Sequence, residues 1–186
     1  MKLIDLRKAH EGKFLTYYVA DYLNKDNKVN SYEFISRKKD LTIDSFGNTE
    51  AVGVGVIPLS LDNEKILLQR EFRLACNQWV YNFTTGLIDE SETPEVAAKR
   101  EMLEETGVEL VSVDAVLPPS YASAPTSDEV MIIIIGRAKG EVKESIFVDE
   151  EISAKWYTKA EIKELLASGA LMSVRTQIFL YKWVNE

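Results

Sequence analysis

Along most of this chain the apolar positions come in short, strand-sized runs separated by polar turns. Residues 14–23 and 31–37 are rich in Tyr, Val, Phe and Ile, and the polar stretch 24–30 between them predicts two strands and a turn. Residues 51–58 set Val52, Val54 and Val56 against small residues, which predicts a strand with one packed face and one face that something approaches closely. A turn at 61–64 and the run 65–69 complete a hairpin, with 69–73 as its polar extension. Residues 79–83 form a further short strand running into 84–86, residues 108–116 alternate, 130–138 read as a buried strand, and 153–157 as a short one. A helix begins after Thr93, a capping residue, with Pro94 at the first helical position and Glu95 at the positive end of the dipole. Gly107 supplies its left-handed C-cap. Residues 159–167 and 174–184 are helical, the second amphipathic with Ile178, Phe179 and Trp183 available to pack on a sheet.

Many strands with few helices predict a mixed central sheet sandwiched by helices, an α/β (α+β) fold, with the N-terminal strands as a small extra antiparallel sheet. A length of 186 residues suits one main domain with an accessory element, here 1–48 and 49–186. The longest apolar run, 130–135, is far short of the roughly 20 residues of a membrane span. The first 13 residues lack the apolar core of a secretory signal, and a single cysteine, Cys76, rules out an intramolecular disulfide framework, so a cytoplasmic protein is expected. A net charge of −8 argues against a nucleic-acid partner, though not against a small phosphorylated substrate bridged by a metal.

Chemistry concentrates on the helix after Thr93. At about 100° per residue, Glu101, Glu104 and Glu105 share an arc of roughly 100°, while Val96, Met102 and Leu103 lie largely elsewhere, so one face is expected to pack and the adjoining face to present acid. Like charges four apart destabilise a helix by about 0.2–0.5 kcal/mol, and negative charge near its C-terminus is also unfavourable. Two local rules broken together point to a functional site, and clustered carboxylates to a divalent cation. With one histidine and one cysteine in the chain, that cation is hard and oxygen-bound, Mg²⁺ or Mn²⁺.

The spacing Gly86, five residues, Glu92, seven residues, then Arg100-Glu101-Met102-Leu103-Glu104-Glu105-Thr106-Gly107-Val108 resembles the complete Nudix box. The resemblance implies a Nudix-type α/β/α sandwich and hydrolysis of a nucleoside diphosphate linked to another moiety, with Mg²⁺ or Mn²⁺. By that resemblance Glu101, Glu105 and Glu104 are metal ligands, joined by the carbonyl of Thr85. It further implies that Arg100 and Glu104 belong to the catalytic machinery, with Glu92 as the carboxylate that Arg100 orients.

Outside the box, Tyr32 to Arg37, the run 69–73 and the loop 123–129 resemble the ADP-ribose and nucleotide-sugar pyrophosphatase branch. That resemblance implies a homodimer built on the N-terminal strands, substrate contacts from Arg73, Tyr32 and Arg37, and a metal or substrate contact from Glu129. The general base of the branch lies in an acidic stretch that is short here. Glu150 is the first candidate, then Asp149 or Glu151, with Glu129 a further one. ADP-ribose or a related nucleotide sugar is the expected substrate, with GDP-mannose, a dinucleotide or another nucleotide derivative as the alternative. A non-catalytic ligand sensor on the same fold would be expected to lose box acids that this chain keeps, and an isopentenyl-diphosphate isomerase would need more histidines.

Overall fold

Strand β4 (Gly53–Ser60) is buried almost throughout, as befits a strand covered on both faces. Gly55 is closely approached, since a Cβ there would lie 2.7 Å from Ile133 Cδ1 and that side chain would have to shift. This close approach is the one the valine–glycine alternation predicts. The computed structural model describes residues 1–146 and 151–186, and these gather into two units, one of residues 1–52 with 119–131 and one of residues 53–118 with 132–186.

In the larger unit β4 lies between β5 (Lys65–Arg73) and β10 (Val130–Lys139), in the order β11 (Ile152–Thr158), β5, β4, β10, β8 (Glu109–Val116). The sheet is mixed, and successive residues feed two separate cores, as pleating requires. On one face Val54, Val56, Leu67 and Ile134 pack with Ala97, Ala98 and Met102 of α1 (Pro94–Thr106). On the other, Ile57, Leu59, Ile66 and Leu68 pack with Ile162 of α2 (Lys159–Ala167) and Leu180 and Trp183 of α3 (Val174–Trp183). The helix–sheet–helix sandwich follows directly from this alternation.

The stretch read as a strand 79–83 running into 84–86 is in fact two strands. β6 (Gln78–Asn82) pairs with β5, whereas β7 (Thr84–Leu87) pairs with β4. The change of partner falls at Phe83, whose N–H donates to the side-chain oxygen of Asn82. A turn joins β5 to β6, closed by Cys76 N–H to Arg73 O at 3.0 Å and by Asn77 at φ 50. On α3, Trp183 is buried and Phe179 meets Phe83 edge-to-face at 5.7 Å, but Ile178 points to solvent, contrary to its expected packing role.

The smaller unit contains the sheet β1 (Lys2–Glu11), β2 (Thr16–Leu23), β3 (Val29–Ser36), all antiparallel. Its core is Tyr18, Ala20, Phe34 and Leu41, with Tyr18 and Phe34 stacked at 5.6 Å. The Tyr18 hydroxyl donates to Lys39 O at 2.6 Å and accepts the Leu41 N–H, which pins the segment after β3 to the sheet. β1 escaped sequence reading because register shifts at Leu3/Asp5 and Lys8/His10 break its period of two. Leu3 and Leu6, three apart, thereby reach the same core. β9 (Ser120–Tyr121) pairs with the first residues of β10, Val130 and Met131.

Candidate active site

Helix α1 has its predicted caps in place. Thr93 Oγ1 accepts the Val96 N–H, Pro94 opens the first turn, and Gly107 at φ 70 sends its N–H to Leu103 O. Its buried face, however, is not the one expected from the apolar residues. Val96 and Leu103 are 51% and 57% exposed, while Glu101 and Glu105 are buried at 8% and 7% alongside Met102. The acidic face is therefore turned toward the protein, with Met102 beside it.

Burying carboxylates is costly unless each meets a donor. Glu105 Oε2 accepts from Gln69 Nε2 of β5 at 2.6 Å. Glu101 Oε1 accepts from Arg100 Nη1 at 2.7 Å. Gly86 is what lets Glu101 lie there, because a Cβ at position 86 would sit 1.9 Å from Glu101 Cδ. Any side chain on that glycine would displace the carboxylate.

Arg100 meets Glu92 through both arms of its fork, Nε to Oε1 at 2.9 Å and Nη2 to Oε2 at 2.8 Å. It also reaches Leu87 O at 2.9 Å and Glu104 Oε2 at 3.2 Å. This guanidinium, with the Asp89 N–H, holds the Glu92 carboxyl down at about 2. The Arg100 cation is stabilised in turn by Glu92 and Glu101.

A cavity of about 300 Å³ lies beside this helix, lined by Glu71, Arg73, Thr85, Glu105 and Glu151 among others. Arg73 Nε pairs with Glu71 Oε1 at 2.9 Å, and Arg73 Nη2 reaches Thr85 Oγ1 at 3.5 Å. Gln69, Glu71 and Arg73 recur every second residue, so one face of β5 carries the acidic helix's partner and then the cavity wall. Gln69 and Glu71 carried no role at the sequence level, although this alternation within 69–73 was the signal available.

Tyr32, Arg37 and Glu129 belong to the smaller unit, where Arg37 Nε pairs with Glu129 Oε2 at 3.1 Å and the Tyr32 hydroxyl donates to Pro125 O at 2.6 Å. Glu150 and Asp149 fall outside the described residues, whereas Glu151 lines the cavity.

The donors around α1 are carboxylates and backbone carbonyls, a set suited to Mg²⁺ or Mn²⁺ and unsuited to softer metals. Among the described residues no three His, Cys, Asp or Glu side chains already converge as a cage, and Arg100 occupies oxygens of Glu101 and Glu104. Also among those residues, no helix is long and apolar enough to cross a membrane.

A helix–sheet–helix sandwich with an acid-faced helix beside an arginine-bearing cleft is the architecture to be placed, and comparison with known proteins places it. The NUDIX domain model matches residues 49–174, and the chain belongs to the Nudix family. Members of this family typically use a divalent metal. The chain is 32% identical over 98 residues to the ADP-sugar pyrophosphatase of Mus musculus, an alignment covering 52% of this chain and only 43% of that protein. It is 26% identical to a CMP-5'-(N-acetyl-N-hydroxy-3-aminopropyl)phosphonate hydrolase of Streptomyces rubellomurinus, covering 94% of this chain and 77% of the other. An ADP-ribose pyrophosphatase of Bacillus subtilis is 22% identical, covering 95% and 84%. A crystal structure described as an ADP compounds hydrolase superposes with a TM-score of 0.74 at 18% identity, over 97% of this chain and 91% of that one, a likeness of fold.

Proposed function

We propose that this Nudix hydrolase cleaves the diphosphate of ADP-ribose, or of a related nucleotide sugar, giving AMP and ribose 5-phosphate in the first case. The observation that carries the reading is one cleft holding both an arginine fork, Arg73, and the buried acid Glu105. The first suits phosphate oxygens and the second a hard cation bridging to them. Relatives named for ADP-sugar and ADP-ribose favour an adenine nucleotide.

In this reading Glu101, Glu104, Glu105 and the Thr85 carbonyl hold Mg²⁺ or Mn²⁺. When bound, the ion neutralises the diphosphate and makes an attacking water more acidic. Arg100, fixed by Glu92, orients Glu101 and Glu104 on the helix. Arg73 binds the diphosphate. A carboxylate of the 149–151 stretch takes the proton from water, with Glu150 the first candidate and Glu151 already at the cleft. Tyr32, Arg37 and Glu129 contribute to substrate recognition, and residues 1–48 form a dimerisation element with 49–186 as the hydrolase domain.

The test is a Mg²⁺-dependent screen of ADP-ribose, GDP-mannose, UDP-glucose and dinucleotides with product identification. AMP and ribose 5-phosphate from ADP-ribose are expected. Turnover confined to another nucleotide would favour the second reading, to which the CMP-derivative hydrolase points. Tight binding without turnover of any would favour a ligand sensor. Light scattering tests the homodimer, with twice the 21.1 kDa chain mass expected.

A further inference from the structure

Glu71 is buried at 8% and belongs to no part of the Nudix box, yet it faces the cleft. Its Oε1 accepts from Asn82 Nδ2 at 3.1 Å and pairs with Arg73 Nε at 2.9 Å. Asn82 is itself buried, and its Oδ1 accepts three donors: the Phe83 N–H at 3.1 Å, Ser173 Oγ at 2.9 Å and Thr176 Oγ1 at 3.0 Å. A backbone N–H can only donate, so the amide oxygen of Asn82 must face Phe83 and its NH₂ must face Glu71. An NH₂ and a guanidinium are both donors, and a carboxylate is the acceptor that satisfies the two together.

Ser173 is also the N-cap of α3, accepting the Thr176 N–H. A continuous set of polar contacts therefore runs from the cap of α3 through Asn82 to Glu71 and ends on Arg73 at the cleft. Arg73 stands at the end of β5 with a long side chain and many rotamers, and its other polar contact among the described residues is the 3.5 Å approach to Thr85. Without Glu71 nothing else in this set would direct its fork.

We propose that Glu71, aimed by Asn82, is a positioning residue that presents the Arg73 guanidinium to the diphosphate of the substrate. This rests on the functional reading above, in which Arg73 binds that diphosphate. Glu71 acts through Arg73, so its role is in binding more than in turnover.

The experiment compares wild type with Glu71→Gln, Arg73→Ala and the double variant, using whichever nucleoside diphosphate derivative the wild type hydrolyses in the screen. Binding is measured by calorimetry in EDTA, where no turnover occurs, and kcat and KM are then measured with Mg²⁺. Glutamine keeps an acceptor for Asn82 and removes the charge facing Arg73, so Glu71→Gln is expected to weaken binding and raise KM by about tenfold, the worth of one charge-assisted contact. Its kcat should change far less, and adding it to Arg73→Ala should cost nothing more. Multiplying effects in the double variant, a fall in kcat with KM unmoved, or a change in melting temperature alone would each overturn the positioning role. A wild type that turns over no nucleotide would instead overturn the functional reading.

Discussion

Arg100 and Arg73 are both tied to glutamates near the acidic face of α1, but the two clusters are put together in opposite ways. Arg100 draws its partners, Leu87 O, Glu92, Glu101 and Glu104, from one short stretch of chain. Arg73 depends on β5, on Thr85 of β7 and, through Glu71 and Asn82, on the cap of α3. The first cluster is a property of a segment and the second of a sheet register. A one-residue slip of β6 on β5 would carry Asn82 away from Glu71 while leaving the Arg100 fork untouched.

Glu105 is where the contrast can be broken most severely, since it sits on the local segment but bonds to Gln69 across the core. Glu105→Gln is expected to lower turnover on the order of a hundredfold or more while circular dichroism and melting temperature stay close to wild type. Near-normal activity would remove the metal role assigned to it. Met102 tests how far the segment stands alone. It is fully buried against the sheet core, so Met102→Ala should cost about 2–5 kcal/mol in denaturant unfolding, showing that the local geometry still needs the sheet.

A smaller effect is expected at Glu92, whose carboxyl takes its proton at about 2 in the folded chain and at the ordinary 4.5 when unfolded. Its contribution is complete above the higher value and is lost as pH falls toward the lower one. The acid limb of a melting-temperature profile should therefore flatten between those values in Glu92→Gln. An unchanged limb would mean that the Arg100 fork adds nothing to stability. The least effect is expected at Leu103, where exposure predicts that Leu103→Ala stays within about 0.5 kcal/mol of wild type by the same unfolding measurement.

Legibility in the sequence followed the same division. Helix α1 with its Thr93 and Gly107 caps depends on spacing within one segment and lies where spacing put it, and the Arg100–Glu92 contact in the same segment is the one the box resemblance implies. The wheel did separate the acids from Val96 and Leu103, yet it could not say which side faces the sheet, because that is decided by Ala97, Ala98 and Met102 meeting residues far along the chain. β1 was hidden by its irregular register, and the break between β6 and β7 because it is set by pairing with two different strands, β5 and β4. Asn82 gave no local sign of its importance, since its side-chain partners lie eleven and more than ninety residues away in sequence.

The turn that closes β5 onto β6 has a practical consequence. Cys76 is exposed there, next to Leu74 and Ala75 of the cleft wall, and it is the chain's single thiol. A maleimide fluorophore would attach at this one place without any engineered cysteine. Its emission would then follow nucleotide entering the cleft in real time, in the unmutated protein.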